Sequence, residues 1–170
     1  MSINSKSKGD KYERKIASLL SSHFKEITGV DKAFVRNRSS GAYLGGKNKV
    51  RADGMLDEHK DVGDIIVPSD FRFEIECKHY STPPSFKQII SDNIPQWDKW
   101  IEQAEQDAET SGRDGFLLIV KYNLVPDIVI LSTSEFSYLP RIMTYKSLYQ
   151  VVKLEDLLKL NKDKFFKKGK

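Results

Sequence analysis

A single cysteine, Cys77, is all the thiol chemistry the chain holds. An internal disulfide and a zinc site built on several thiolates are thereby excluded, and a reducing, cytoplasmic setting is expected. No apolar run approaches the roughly 18–20 residues that span a bilayer, so no membrane partner is expected. The opening stretch, Met1 to Lys11, is polar and lacks the apolar core of a secretory signal. The histidines, His23, His59 and His79, fall at no metal-ligand spacing. Gly45-Gly46-Lys47 lacks the preceding strand, the full spacing and the following Ser or Thr of a phosphate-binding P-loop, which argues against ATP binding.

What remains is 170 residues and 19.5 kDa, enough for one ordinary domain with a real core. Hydrophobic residues make up 39% and charged residues 31%, a globular composition rather than a disordered one. The net charge of +4 is unevenly spread. Residues 1–15 carry +3 and residues 159–170 carry +5, which leaves 16–158 at −4. Inside that acidic middle, Arg36, Arg38, Lys47, Lys49 and Arg51 follow one another with no intervening acid. Basic ends and a basic loop around an acidic body suit a polyanionic partner meeting a site that needs carboxylates.

Periodicity predicts the elements. Tyr12, Ile16, Leu19, Leu20 and Phe24 recur at helical spacing, giving a first helix over 9–26. Ala33 to Val35 reads as a short strand, 41–60 as a long loop, and Gly63 to Pro68 as a short strand ending in a turn. From Phe71 to His79 the residues alternate: Phe71, Phe73, Ile75 and Cys77 on one face, Arg72, Glu74, Glu76 and Lys78 on the other. Such a charged face must be solvated or put to use. A short helix is expected within 85–92 and a long one from Gln96 to Glu109 carrying Trp97 and Trp100, which read as core or interface before they read as base-stacking platforms. Phe116 to Tyr122 has the apolar run of a strand buried on both faces, Asp127 to Ser132 is a further strand, and 147–160 a last amphipathic helix. The fold class expected is α/β, a central mixed sheet flanked by helices.

The chemistry is concentrated in two segments, Gly63-Asp64 and Glu76-Cys77-Lys78. Side chains two apart on a strand share a face, so Glu76 and Lys78 lie together while Cys77 points away into the core. Antiparallel pairing of the Asp64 strand with the 73–78 strand would set Asp64 beside Glu76. Two carboxylates that close repel unless a cation sits between them, and oxygen donors suit Mg2+ or Mn2+. The Cys77 backbone carbonyl is placed as a further ligand. Lys78 can orient or deprotonate a water and stabilise charge building on phosphorus. The bland alternative is a cross-strand ion pair on a solvated face. Three other features bear on it. Glu13, between Tyr12 and Ile16, can turn toward the sheet and join the metal. Arg36-Asn37-Arg38-Ser39-Ser40-Gly41 offers guanidinium forks, hydroxyls and small-residue amides for a phosphate. Gln103 and Lys121 follow on the second long helix and the buried strand, Lys121 either at a strand end facing the site or as a snorkelling side chain.

Lys8-Gly9…Glu13-Arg14, Arg36…Ser39-Ser40-Gly41, Gly63-Asp64-Ile65-Ile66 and Phe73-Glu74-Ile75-Glu76-Cys77-Lys78 together resemble the PD-(D/E)xK nuclease superfamily, and within it archaeal-type Holliday junction resolvases and related phage nucleases. The resemblance covers about residues 8–125; Gly63 stands where the motif's proline would be. It implies a restriction-endonuclease-like core, Asp64 and Glu76 as Mg2+ ligands, Lys78 as the catalytic lysine and Glu13 as the first-helix acid. Arg36 with Ser39 or Ser40 would take the scissile phosphate, and a homodimer would act on branched DNA. The whole chain then reads as a single nuclease domain: a flexible basic arm (1–8), a catalytic core (9–132), a C-terminal extension with a helix (133–160) and a lysine-rich tail (161–170) that either grips a polyanionic surface or solubilises. A restriction-type or end-processing nuclease on the same core, and a non-catalytic DNA-binding module on a nuclease fold, stay open as alternatives.

Overall fold

The computed structural model describes residues 5–37 and 62–167. Arg38, Ser39 and Ser40, and the long loop expected at 41–60, lie outside the described residues.

Helix α1 (Ser5–His23) buries Tyr12, Ile16, Ala17 and Leu20, one stripe at helical spacing, and leaves Lys11 and Lys15 exposed. It begins before the expected start, so residues 5–8 are helical rather than a flexible arm. A short α2 (Lys25–Thr28) ends at Gly29, whose left-handed φ of 66° suits a residue without Cβ. Two-residue strands β1 (Val35–Arg36) and β2 (Ile65–Ile66) pair antiparallel, Arg36 opposite Ile65. Then come β3 (Phe73–Tyr80), α3 (Phe86–Ile90) and α4 (Pro95–Ser111). A reciprocal Ser85–Gln88 capping box opens α3, whereas α4 starts on Pro95 and stops at Gly112.

Strands β4 (Gly115–Tyr122), β5 (Ile128–Ser132), β6 (Arg141–Tyr145) and β7 (Tyr149–Lys153) complete a five-stranded sheet of order β3-β4-β5-β7-β6. Only β3 and β4 are parallel, joined through α3 and α4; the other pairs are antiparallel, so the sheet is mixed. Alternation along β4 shows the layering. Leu117 and Ile119 face the α1 side with Phe73, Ile75 and Cys77, while Phe116, Leu118 and Val120 face Trp97, Trp100, Ile101 and Ala104 of α4. Helix, sheet and helix form three layers, the α/β arrangement of a restriction-endonuclease-like core.

Two expectations about the C-terminal part are corrected. The helix over 147–160 is instead the turn into β7, β7 itself and a short α5 (Leu154–Leu157). Gln150, Val151 and Val152 are buried between β5 and β6, and aromatic or β-branched residues at 149, 151 and 152 suit a pleated strand better than a helix. The lysine-rich tail is not a solvated appendage in its described part. A 3-10 turn (Lys162–Phe165) drives Phe165 and Phe166 into the core against Phe24 and Phe71, with Phe166 bridged to Phe71. Of the two readings left open for the charged face of β3, solvated or put to use, burial of Glu74 and Glu76 beneath α4 excludes the first at those two positions. Among the described residues, no helix is long and apolar enough to cross a membrane.

Candidate active site

Strand β3 sets the site by alternation. Its odd positions feed the α1-side core, so Glu74, Glu76 and Lys78 face α4. Glu76 is fully buried, and Gln103 on α4 meets it there. The Gln103 amide donates to Glu76 Oε1 at 2.6 Å, the Lys78 ammonium donates to Gln103 Oε1 at 3.2 Å, and Lys78 Nζ lies 3.3 Å from Glu76 Oε2. The three side chains close a ring in which Gln103 orients both charged partners.

Asp64 arrives by a different route from the one expected. Strand β2 pairs with β1, not with β3, and Asp64 stands just before β2 at the free edge of β3. Its N–H donates to the Ile75 carbonyl at 3.0 Å, and its Oδ2 accepts the Cys77 N–H at 2.9 Å. Its carbonyl accepts the Asn37 N–H at 2.8 Å, and the Gly63 carbonyl accepts the Asn37 side-chain amide at 2.9 Å. These four bonds clamp the Gly63–Asp64 segment to β3 on one side and to the chain after β1 on the other. Backbone N–H and C=O of one strand residue point the same way, so the Cys77 carbonyl also faces the edge where Asp64 lies. The Cys77 thiol is buried in the core and its ionisation is pushed up by that burial, as expected of an inert cysteine.

The electrostatics show how close the acids are. Burial pushes the Glu76 carboxyl well above the ordinary carboxylate range, and contact with the Asp64 carboxylate and its charge pushes it further. Burial alone would lower the Lys78 ammonium, but the Glu76 and Asp64 charges outweigh it and hold Lys78 above its usual value. Asp107, four residues beyond Gln103 and so on the same face of α4, is the acid that sequence reasoning missed. Burial raises it, and it contacts both Glu76 and Gln103. The helical spacing from Gln103 was the available signal. Glu74, two residues before Glu76, is pushed up to about 7 by burial, against the opposing pull of the Ser111 hydroxyl and the Arg113 charge.

Glu13 and Arg36 lie beside this cluster as a pair. Arg36 Nε donates to Glu13 Oε2 at 2.5 Å and Arg36 Nη2 to Asp10 Oδ1 at 2.7 Å, so the guanidinium joins α1 to β1. Burial raises the Glu13 carboxyl against that bond, and the Asp64 charge raises it further, which places Glu13 within electrostatic reach of Asp64. Lys121 is not brought to the site. It projects from the opposite face of the sheet to Glu76 and Lys78, where its ammonium pairs with Asp127 at 3.2 Å and donates to the Val125 carbonyl at 2.7 Å. His79 likewise turns away from Lys78, toward the Tyr12 ring. Trp97 and Trp100 are core, the Trp97 indole donating to the Tyr122 hydroxyl at 2.8 Å. Arg38, Ser39 and Ser40 lie outside the described residues.

Among the described residues, no group of three or more His, Cys, Asp or Glu side chains is disposed to hold a metal ion by itself. The donor chemistry nonetheless fits a hard cation. The Asp64 and Glu76 carboxylates interact with each other, Asp107 meets Glu76 from α4, and the adjoining cation is Lys78. Small hard cations bind through one or two carboxylates and keep water and substrate oxygens for the rest. A family model described as "Phage putative PDDEXK endonuclease" matches residues 4–167. No curated protein and no solved structure matches the chain.

Proposed function

The chain belongs to this PDDEXK phage endonuclease family, and from that premise we propose that it is a divalent-cation-dependent DNA endonuclease hydrolysing phosphodiesters at Asp64, Glu76 and Lys78. The observation that carries the reading is the Asp64 carboxylate bonded at 2.9 Å to the Cys77 N–H, directly beside buried Glu76, with Lys78 ion-paired to Glu76 at 3.3 Å. Asp64, Glu76 and the Cys77 carbonyl would hold Mg2+ or Mn2+, with Glu13 as an accessory acid. Bound there, the ion would acidify a water and screen the phosphate.

The chain's own residues supply the rest. Lys78, held as a cation between two acids, stabilises charge on the attacked phosphate and orients the water rather than taking its proton. Gln103 keeps Glu76 and Lys78 in register. Arg36, with Arg38, Ser39 and Ser40 beyond it, binds the DNA backbone next to the scissile phosphate. In this reading Gln103 acts on DNA through Glu76 and Lys78, and Lys121 takes no part. Likeness to junction resolvases makes a four-way junction the preferred substrate and a homodimer the acting form, because two strands need two sites.

Cleavage of linear, flapped and four-way substrates of one sequence, in Mg2+, in Mn2+ and in chelator, tests each layer. The proposal expects metal-dependent cutting that is fastest on the junction and absent from Glu76→Gln and Lys78→Ala. Parental cutting by either variant overturns the catalytic assignment. Equal rates on junction and linear duplex remove the junction preference and leave a restriction-type or end-processing nuclease.

A further inference from the structure

Gly63 stands where the family motif carries proline, and its space is already taken. A Cβ built on Gly63 would stand 2.3 Å from Glu74 Oε1, 3.0 Å from Glu74 Cδ and 2.8 Å from the Ile75 carbonyl oxygen. Among the described residues the positive-φ glycines are Gly29 and Gly112, so Gly63 is not there for an unusual φ. It is there for close approach. The Ile75 carbonyl that a side chain would strike is the one that accepts the Asp64 N–H. On its other side the Glu74 carboxyl is fixed rather than free: it is 2% exposed, it accepts the Ile75 N–H at 3.3 Å, and it is held by the Ser111 hydroxyl and the Arg113 charge beyond the end of α4.

We propose that Gly63 and Glu74 are a positioning pair for Asp64: the buried Glu74 carboxyl fills the space beside the Gly63 α-carbon, and the two together set how closely the 63–64 segment seats on β3. Asp64 reaches Glu76 only because that segment lies against Ile75 and Cys77. A side chain at 63 lifts the segment and draws the Asp64 carboxylate away from Glu76. Loss of the Glu74 carboxyl removes the buttress on which the segment rests. This role rests on the metal-site reading above, and it belongs to shape rather than to charge.

The test is calorimetric Mn2+ binding to the full chain, with the thermal midpoint recorded for each variant. Gly63→Ala is expected to weaken Mn2+ binding by about tenfold or more, within the usual range for coupled neighbours. The double variant Gly63→Ala/Glu74→Ala recovers roughly threefold of that loss, because the carboxyl it would strike is gone. Glu74→Gln, close to the native shape, keeps most of the affinity that Glu74→Ala loses. Gly63→Ala binding within about twofold of the parent, or a double variant that merely sums the two single losses, overturns the proposal. Should Gly63→Ala fail to fold, the comparison of Glu74→Gln with Glu74→Ala decides alone, and equal losses overturn it. Asp64→Asn separates the two levels: parental Mn2+ affinity there brings down the metal-site reading itself, whereas lost affinity there beside an unaffected Gly63→Ala brings down only the positioning pair.

Discussion

Replacing Phe165 by alanine measures whether the C-terminal segment is core. Phe165 is 1% exposed, and its ring centroid lies 5.1 Å from Phe136, 5.2 Å from Phe24, 6.2 Å from Phe73 and 6.3 Å from Phe71. The backbone around it is also engaged, the Phe165 carbonyl accepting the Arg72 N–H at 2.8 Å and the Lys167 N–H reaching the Asp70 carbonyl at 2.7 Å. Truncating a buried phenylalanine costs about 3–5 kcal/mol in transfer and cavity terms. Set against a total stability of about 5–15 kcal/mol, that is a large share of the fold. For a chain of this length it lowers the melting temperature by roughly 6–20 °C. Urea unfolding of Phe165→Ala should show an earlier midpoint with an unchanged slope. The rings around Phe165 lie at the start of β3, short of Glu76 and Lys78, so the folded variant should still bind Mn2+. A loss under about 1 kcal/mol would refute the packing and return residues 161–167 to a solubilising tail.

Other outcomes are as specific. Gln103→Ala removes the 2.6 Å bond to buried Glu76 and the 3.2 Å bond from Lys78; a hydrogen bond to a charged group is worth about 1.5–3 kcal/mol, so single-turnover cutting should slow roughly 10- to 150-fold. An unchanged rate would take Gln103 out of the site. Lys121→Ala should leave DNA affinity in gel-shift titrations close to the parent, since its ammonium is committed to Asp127 and the Val125 carbonyl; a clear loss would place Lys121 on the DNA face after all. The Arg72 guanidinium holds Asp114 below the ordinary aspartate value. The unfolded chain therefore binds that proton more tightly than the native one. The stabilisation is complete above the ordinary value and is lost as pH falls through the lowered one. Asp114→Asn should lower the urea midpoint at pH 7 and converge with the parent only as the pH falls through the lowered value; a constant gap between the two would contradict the linkage.

How much of this was readable in the chain follows from where the signal is local. Strand β3 was legible because strict alternation from Phe71 to Lys78 admits one reading, and α4 because Trp97, Trp100, Ile101, Ala104 and Ala108 form one stripe between Pro95 and Gly112. Strand β7 was not. Leu148, Val151, Val152, Leu154 and Leu158 also fit helical spacing, and the turn before them is made by Lys146 and Ser147, whose positive φ of 49° and 58° neither glycine nor asparagine announces. Phe165 and Phe166 were hidden by the lysines around them. Within the site, Glu76 and Lys78 share a face by period alone, but the meeting of Asp64 with Glu76 depends on β2 turning to β1, a tertiary choice that a twelve-residue spacing does not encode. Asp107 has a helical spacing from Gln103 to announce it, but acids on a helix face are ordinarily solvated. The burial of Glu74 depends on α4 covering the strand, and strand alternation is silent about that.

The central claim is that Asp64 and Glu76 share one divalent ion. Anomalous diffraction from crystals grown with Mn2+ answers it most directly. The account predicts a single strong peak between the two carboxylates at about 2.1 Å from an oxygen of each, with the Cys77 carbonyl on the same ion. A peak bound to other side chains, or none at this edge of β3 in a preparation that cuts DNA with Mn2+, would contradict it.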